Sequence, residues 1–322
     1  MPTSQQMNPR SPPTSPAARR DAAAWTIAPE NGSCDLAEAE AVCRAIASRH
    51  YENFTVATRL VPPRLRQHLA NVYAFARWSD DLADEAASPT EAIAGLSAWR
   101  RALQECFAGR PGHPVFIALA DTVRTTGLSI EPFSDLLDSF EQDQKVTRYP
   151  DRPALLDYCR RSANPVGRIV LALEGCRSQE SVSLSDSVCT GLQLVNFWQD
   201  VKRDRLAGRV YLPEDDMRRF GVDESMLDVP RAGAAVIALL EEQVAWARDC
   251  LRRGLPLERT APAALRPAIG MFIRGGLAIA DGIERIGFDT LAHRPTVSRW
   301  TKARLAARAW LGTLTAPRRG TA

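Results

Sequence analysis

From Asp35 to about residue 313 the chain never alternates polar and apolar residues for long enough to build a sheet, which leaves helices as the way to pair its backbone groups. Ala, Leu, Arg and Glu dominate this stretch, and Gly or Pro marks the breaks. The pattern predicts helices over 35–49, 63–86, 90–108, 113–126, 130–145, 151–176, 183–206, 230–254, 261–287 and 297–313. Arg209-Val210-Tyr211-Leu212 is the one short β-like run. The expected fold class is therefore all-α.

With 322 residues, 45% of them hydrophobic and 25% charged, the chain can bury a sizeable core, and no apolar run approaches the ~20 residues of a membrane span. A balance of 41 basic against 38 acidic residues, +3 in all, excludes nucleic-acid binding by bulk charge, so partners have to be argued from sites. The seven cysteines are scattered, without Cys-x-x-Cys spacing, and are expected to be reduced packing residues of a cytoplasmic protein. Residues 1–34, rich in Pro, Ser and Ala, form an arm without periodic apolar positions and without a secretory leader. A helical domain over 35–314 and a short tail, 315–322, follow. The histidines His50, His68, His113 and His293 share no metal-ligand spacing and are expected at surfaces or helix ends.

Two acidic helix ends carry the functional signal. The first is Asp80-Asp81-Leu82-Ala83-Asp84-Glu85, with Asp80 and Asp84 one turn apart. The second places Gln193, Asn196, Asp200 and Asp204 at i, i+3, i+7 and i+11, before Gly208. Carboxylates near a helix C-terminus repel one another and the macrodipole, which prefers Lys or Arg there. On that argument, neutralising Asp80 or Asp200 should leave thermal stability unchanged or higher. A solvated charged face is the ordinary meaning of one such run. Two of them, with Arg77 before the first and Lys202, Arg205 and Arg209 around the second, point instead to a divalent cation and a diphosphate. Hard oxygen donors suit Mg²⁺.

These residues resemble a known family, the head-to-head prenyl synthases that include squalene and phytoene synthases. Tyr73-Ala74-Phe75-Ala76-Arg77-Trp78-Ser79-Asp80-Asp81-Leu82-Ala83-Asp84-Glu85 looks like its Tyr-x-x-x-Arg-x-x-Asp-Asp-x-x-Asp-Glu signature. Asn196-Phe197-Trp198-Gln199-Asp200-Val201-Lys202-Arg203-Asp204, followed by Gly208-Arg209-Val210-Tyr211-Leu212-Pro213, looks like its second acidic element and the adjoining loop. The resemblance covers about residues 40–310. It implies one isoprenoid-synthase-type helical bundle around a central cavity, with Mg²⁺ held by Asp80, Asp84, Asn196, Asp200 and Asp204. The implied catalytic set is Asp80, Asp84, Asp200, Asp204, Arg77 and Tyr158. Substrate contacts are implied at Phe54, Tyr73, Arg77, Asp143, Tyr158, Ala163, Val166, Gly167, Gln193, Asn196, Arg209 and Tyr211.

Tyr158-Cys159-Arg160-Arg161-Ser162-Ala163-Asn164-Pro165-Val166-Gly167 corresponds to the helix break that lines the family's isoprenoid tunnel, where Pro165 interrupts the ladder and Gly167 admits a close neighbour. Three details resemble the hydroxysqualene synthase branch of bacterial hopanoid biosynthesis: Asn164-Pro165-Val166-Gly167, Glu52-Asn53-Phe54, and Asn196-Phe197-Trp198-Gln199-Asp200. The implied reaction is ionisation of presqualene diphosphate, rearrangement and capture of one water, with no reductant. A synthase condensing two prenyl diphosphates is the competing enzyme, and a non-catalytic assembly protein of the same fold the reading from another class. Phe288 stands where the family often has Tyr. Trp78 and Trp198, beside the motifs, are candidates for a cavity wall, and the other tryptophans for packing. The basic, aromatic segment around Trp300, Lys302, Arg304, Arg308 and Trp310 reads as a docked helix, with peripheral contact to the inner membrane face as the other reading.

Overall fold

The computed structural model describes residues 34–50 and 60–296. The N-terminal arm, Glu52-Asn53-Phe54, the helix expected over 297–313 and the tail lie outside the described residues. Every regular element among the described residues is helical. They fall into two compact units, one within Met1–Arg59 and Pro63–Ile130, the other Leu60–Pro62 with Glu131–Ala322.

The first unit holds α1 (Leu36–His50), α2 (Pro63–Asp84), α3 (Pro89–Phe107) and α4 (Pro114–Thr126). Caps explain the starts. Asp35 Oδ1 accepts from Glu38 N at 2.8 Å while Glu38 Oε2 accepts from Asp35 N, a reciprocal capping box. Ser88 caps α3, and Pro occupies the first turn of α3 and α4, where its missing N–H costs nothing. Gly127, at φ +65°, ends α4 in the left-handed conformation. The core is aromatic: Phe75, Trp99 and Phe116 pack together, and Trp78 stacks on Trp99 at 5.6 Å. Trp78 is half-buried, with one face on this core.

The second unit holds α5 (Glu131–Asp143), α6 (Arg152–Ser162), α7 (Asn164–Leu173), α8 (Gln179–Gln199), α9 (Val201–Leu206), α10 (Glu214–Arg219), a 3₁₀ turn (Glu224–Leu227), α11 (Ala234–Arg253), α12 (Leu257–Thr260) and α13 (Arg266–Arg285). The central helix is α8, packed on α11, α7, α13 and α6. Its contacts are close because Gly191 lets the α11 backbone in: a Cβ there would stand 2.9 Å from Leu251 N. The helix expected over 151–176 breaks at Ala163, so α7 starts with Pro165 in its first turn. The one expected over 183–206 breaks at Asp200. The run 209–212 is no strand. Val210 N donates to Thr147 O at 2.9 Å, and Val210, Tyr211 and Leu212 are core residues. Trp198 is fully buried and belongs to the core, where it also lines a small crevice beside the second acidic segment.

Among the described residues no helix is long and apolar enough to cross a membrane. All seven cysteines are free thiols, and burial pushes Cys43 and Cys106 up to about 12, which suppresses the reactive thiolate.

His113 sits at the N-cap of α4, where its Nδ1 accepts from Val115 N at 3.2 Å, and its ring meets Trp78 and Trp99 edge-on. Burial lowers its pKa from 6.5 to about 4, so the folded ring stays neutral where the unfolded one is already protonated. The unfolded state then binds more protons, and this contribution, whole above pH 6.5, is lost as pH falls towards about 4. His113→Asn keeps a capping acceptor without a titrating ring. Denaturant unfolding at several pH values should show the wild type losing more stability than the variant between pH 6.5 and 4.5; parallel losses would contradict this.

Candidate active site

The first acidic segment closes α2. Three turns of amphipathic helix bury Leu69, Val72 and Phe75 and so fix the opposite face, which carries Tyr73, Arg77, Asp80 and Asp84. Arg77 is only 16% exposed; Nη1 meets Asp80 Oδ2 at 3.0 Å, and Nη2 pairs with Asp81. Burial alone would lower its pKa, but the carboxylates of Asp81 and Asp80 outweigh burial and raise it. Burial outweighs Arg77 at Asp81 and raises that carboxyl. Asp84, the last helical residue, is exposed. Tyr73 is half-buried.

The second segment is bent at Asp200. There α8 ends and α9 begins, at φ −109° and ψ 15°, yet the register continues. Asp200 N is shared between Asn196 O and Phe197 O, Asp204 N donates to Asp200 O at 2.9 Å, and Arg209 N to Asp204 O at 2.8 Å. The expected stripe therefore survives as a chain of one-turn contacts. Asn196 is exposed, Gln193 and Asp204 half-buried, and Asp200 buried. Asp204 and Arg209 share a small crevice with Phe197, Val201 and Tyr211.

The expected cost of bare carboxylates at a helix end is met differently at this second segment. Arg294 Nε reaches Asp200 Oδ1 at 2.5 Å and Nη2 reaches Oδ2 at 3.1 Å, with Arg203 at 3.9 Å. Asp200 has its own counter-ion, so the expectation that neutralising it would spare or raise stability is corrected. Arg205, read as facing a diphosphate, is instead fixed by Glu224 and by Asp228 at 2.7 and 2.8 Å. Arg148 also pairs with Glu224 and donates to Gly208 O at 2.7 Å. This network, which pins the loop before Arg209, escapes sequence reading because its partners lie far apart in the chain.

Tyr158, Asp143 and Tyr211, three of the implied substrate contacts, lie side by side. Tyr158 donates to Asp143 Oδ2 at 3.0 Å; Tyr211 lies 3.8 Å from Phe197, the rings within 9° of parallel, and Tyr158 and Tyr149 flank it. Phe197 and Tyr149 were not singled out, since single aromatics carry no site signal in sequence. At the helix break, Ala163 is buried and Val166 is 47% exposed. What approaches Gly167 is protein: a Cβ there would meet Ser185 and Cys189 of α8. Gly167 lets α7 pack closely on α8. Asn164 is explained too, since its buried Oδ1 accepts from Thr190 Oγ1 at 3.0 Å. Phe54 lies outside the described residues.

Among the described residues no three His, Cys, Asp or Glu side chains are gathered as a cation nest. The donors at each acidic segment are carboxylate and amide oxygens, a set that suits a hard cation completed by waters and substrate phosphate oxygens. Residues 47–301 match the family model described as squalene/phytoene synthase. The chain belongs to the squalene/phytoene synthase family. A hydroxysqualene synthase of Zymomonas mobilis is 35% identical over 206 residues, 63% of this chain and 68% of that protein. A phytoene synthase of Mycobacterium tuberculosis is 31% identical over 290 residues, 87% and 93% of the two chains. The crystal structure of squalene synthase HpnC from Alicyclobacillus acidocaldarius superposes with a TM-score of 0.76 at 38% identity, covering 81% of this chain and 99% of that one. The all-α fold is that of a family of prenyl diphosphate-converting synthases.

Because Asp200 is buried with Arg294 on both its oxygens, whereas the Asp84 side chain is exposed, their neutralisations should differ in stability. Asp200→Asn should lower the melting temperature by a few degrees and Asp84→Asn by clearly less, while each cuts turnover by roughly 100-fold or more. Calorimetry and initial rates check this; equal melting temperatures with full activity would refute it.

Proposed function

We propose that this synthase ionises presqualene diphosphate and captures one water to give hydroxysqualene and diphosphate, as in hopanoid biosynthesis. The observation that supports it most is identity: 35% with the hydroxysqualene synthase, against 31% with the mycobacterial phytoene synthase. Asp80 and Asp84 on one segment, and Asn196, Asp200 and Asp204 on the other, are the oxygen donors proposed for Mg²⁺. Bound there, Mg²⁺ would neutralise the charge that develops on the departing diphosphate.

The chain's own residues do the rest. Arg77 and Arg209 meet diphosphate oxygens, with Tyr73 and Gln193 as hydrogen-bonding partners; such contacts speed the reaction to the extent that they strengthen as charge leaves carbon. Phe197, Tyr211 and Tyr158 offer aromatic faces, which tolerate a carbocation without adding to it. The Tyr158–Asp143 hydrogen bond fixes one ring of that wall. A thirty-carbon substrate is very poorly soluble, which favours peripheral contact of a cytoplasmic enzyme with the inner membrane face.

The condensing reading has two observations in its favour: the solved structure at 38% identity is of a squalene synthase, and the phytoene synthase matches 87% of this chain against 63% for the hydroxysqualene synthase. The two differ in substrate. Condensation needs two diphosphates bound together, whereas hydroxylation needs one and a route for water. Supplied with Mg²⁺ and no NADPH, the protein should convert presqualene diphosphate to a thirty-carbon alcohol and act poorly on farnesyl diphosphate alone, as read by mass spectrometry. Efficient formation of presqualene diphosphate, squalene or phytoene from simple prenyl diphosphates would overturn the proposal.

A further inference from the structure

The segment after α13 is built to deliver one side chain. Gly287 and Phe288 both adopt left-handed backbone, at φ +64° and +59°. That conformation is ordinary for glycine but costly for a phenylalanine, so it persists only where the surroundings impose it. The next residue supplies the anchor: Asp289 Oδ1 accepts from Ala232 N at 2.9 Å and Ala292 N at 3.1 Å, and Oδ2 lies 3.5 Å from Arg231. Thus tied, the chain reaches α8 again at Pro295, whose carbonyl accepts from buried Gln199 Nε2 at 2.5 Å. Between the anchors stands Arg294, on both oxygens of Asp200.

Stability alone accounts poorly for this pair. The Asp200 side chain is 8% exposed and that of Arg294 32%, and removing a carboxylate from water offsets much of what a paired arginine returns. Asp200 already accepts Asp204 N through its carbonyl and caps the bend, so the backbone there does not need the carboxylate. What the arginine occupies is the pair of oxygens that the proposed function assigns to a cation.

We propose that Arg294 is a positioning residue, an internal counter-ion that holds Asp200 in place until a divalent cation displaces it. This rests on the reading of Asp200 as a cation ligand. The exchange balances charge: the buried carboxylate is never left bare, and the guanidinium departs as the cation arrives. Cation affinity in the free protein is then set by competition with Arg294, so the acidic segment loads weakly until the diphosphate arrives to add its own oxygens. Arg77, which holds Asp80 at 3.0 Å, gives the first segment the same device.

Manganese binding to the protein without substrate, followed by electron paramagnetic resonance, tests this. It is measured in an Asp80→Asn/Asp84→Asn background so that only the second segment reports. Arg294→Gln should bind Mn²⁺ about fivefold more tightly than its parent, the scale set by loss of a partly exposed ion pair, with Arg294→Lys in between. Circular dichroism confirms that each variant is folded. Unchanged or weaker Mn²⁺ binding in a folded Arg294→Gln protein would overturn the inference and leave the metal reading standing. No Mn²⁺ binding in either protein would instead remove Asp200 as a ligand, and this inference with it.

Discussion

The site depends on how a helix carries carboxylates at the end where its dipole least favours them. Asp80 and Asp200 are both kept by an arginine, Arg77 in the same helix and Arg294 from 94 residues further along the chain. Near a protein surface, an unbalanced pair of charges 4 Å apart is worth about 4 kcal/mol, a large part of the stability of a domain. The arginines let the fold keep such residues without a bound cation. Because each contact is partly exposed, it remains weak enough to be exchanged.

The helices position these pairs through packing. The long α8 is drawn against α11 by Gly191 and against α7 by Gly167, and every turn of its buried face is fixed before the chain reaches Asn196 and Asp200. The Arg148–Glu224–Arg205–Asp228 network then holds the loop that presents Arg209 and Tyr211. Most of the apparatus is rigid scaffold, in keeping with a reaction that asks for positioning and charge compensation more than for acid–base chemistry.

Much of this was legible in the sequence. Helical periodicity gave the long elements, and spacings of three and four residues gave the acidic stripe, because both are local consequences of 3.6 residues per turn. Features set by distant partners were not legible. The counter-ion of Asp200 is Arg294, the fate of Arg205 rests on Glu224 and Asp228, and the short helix Glu214–Arg219 rests on Asp216, which Arg152 and Gln243 hold at 2.7 and 2.8 Å. Gly167 shows the same limit: close approach could be read from the residue type, but not that Ser185 and Cys189 are what approaches. Trp198, beside the motif, packs on Trp246 and also lines the crevice of Asp204 and Arg209, a double role that residue type alone does not give.

The central claim is that the two acidic segments are exchangeable cation sites and not solvated charged faces. Thermal unfolding with Mg²⁺, inorganic pyrophosphate or both tests it most directly, since a ligand stabilises only the state that binds it. The account predicts small shifts with either alone and a rise of several degrees with both together, lost in Asp80→Asn and in Asp200→Asn. A rise with pyrophosphate that is the same with and without Mg²⁺, or that survives both substitutions, would contradict it.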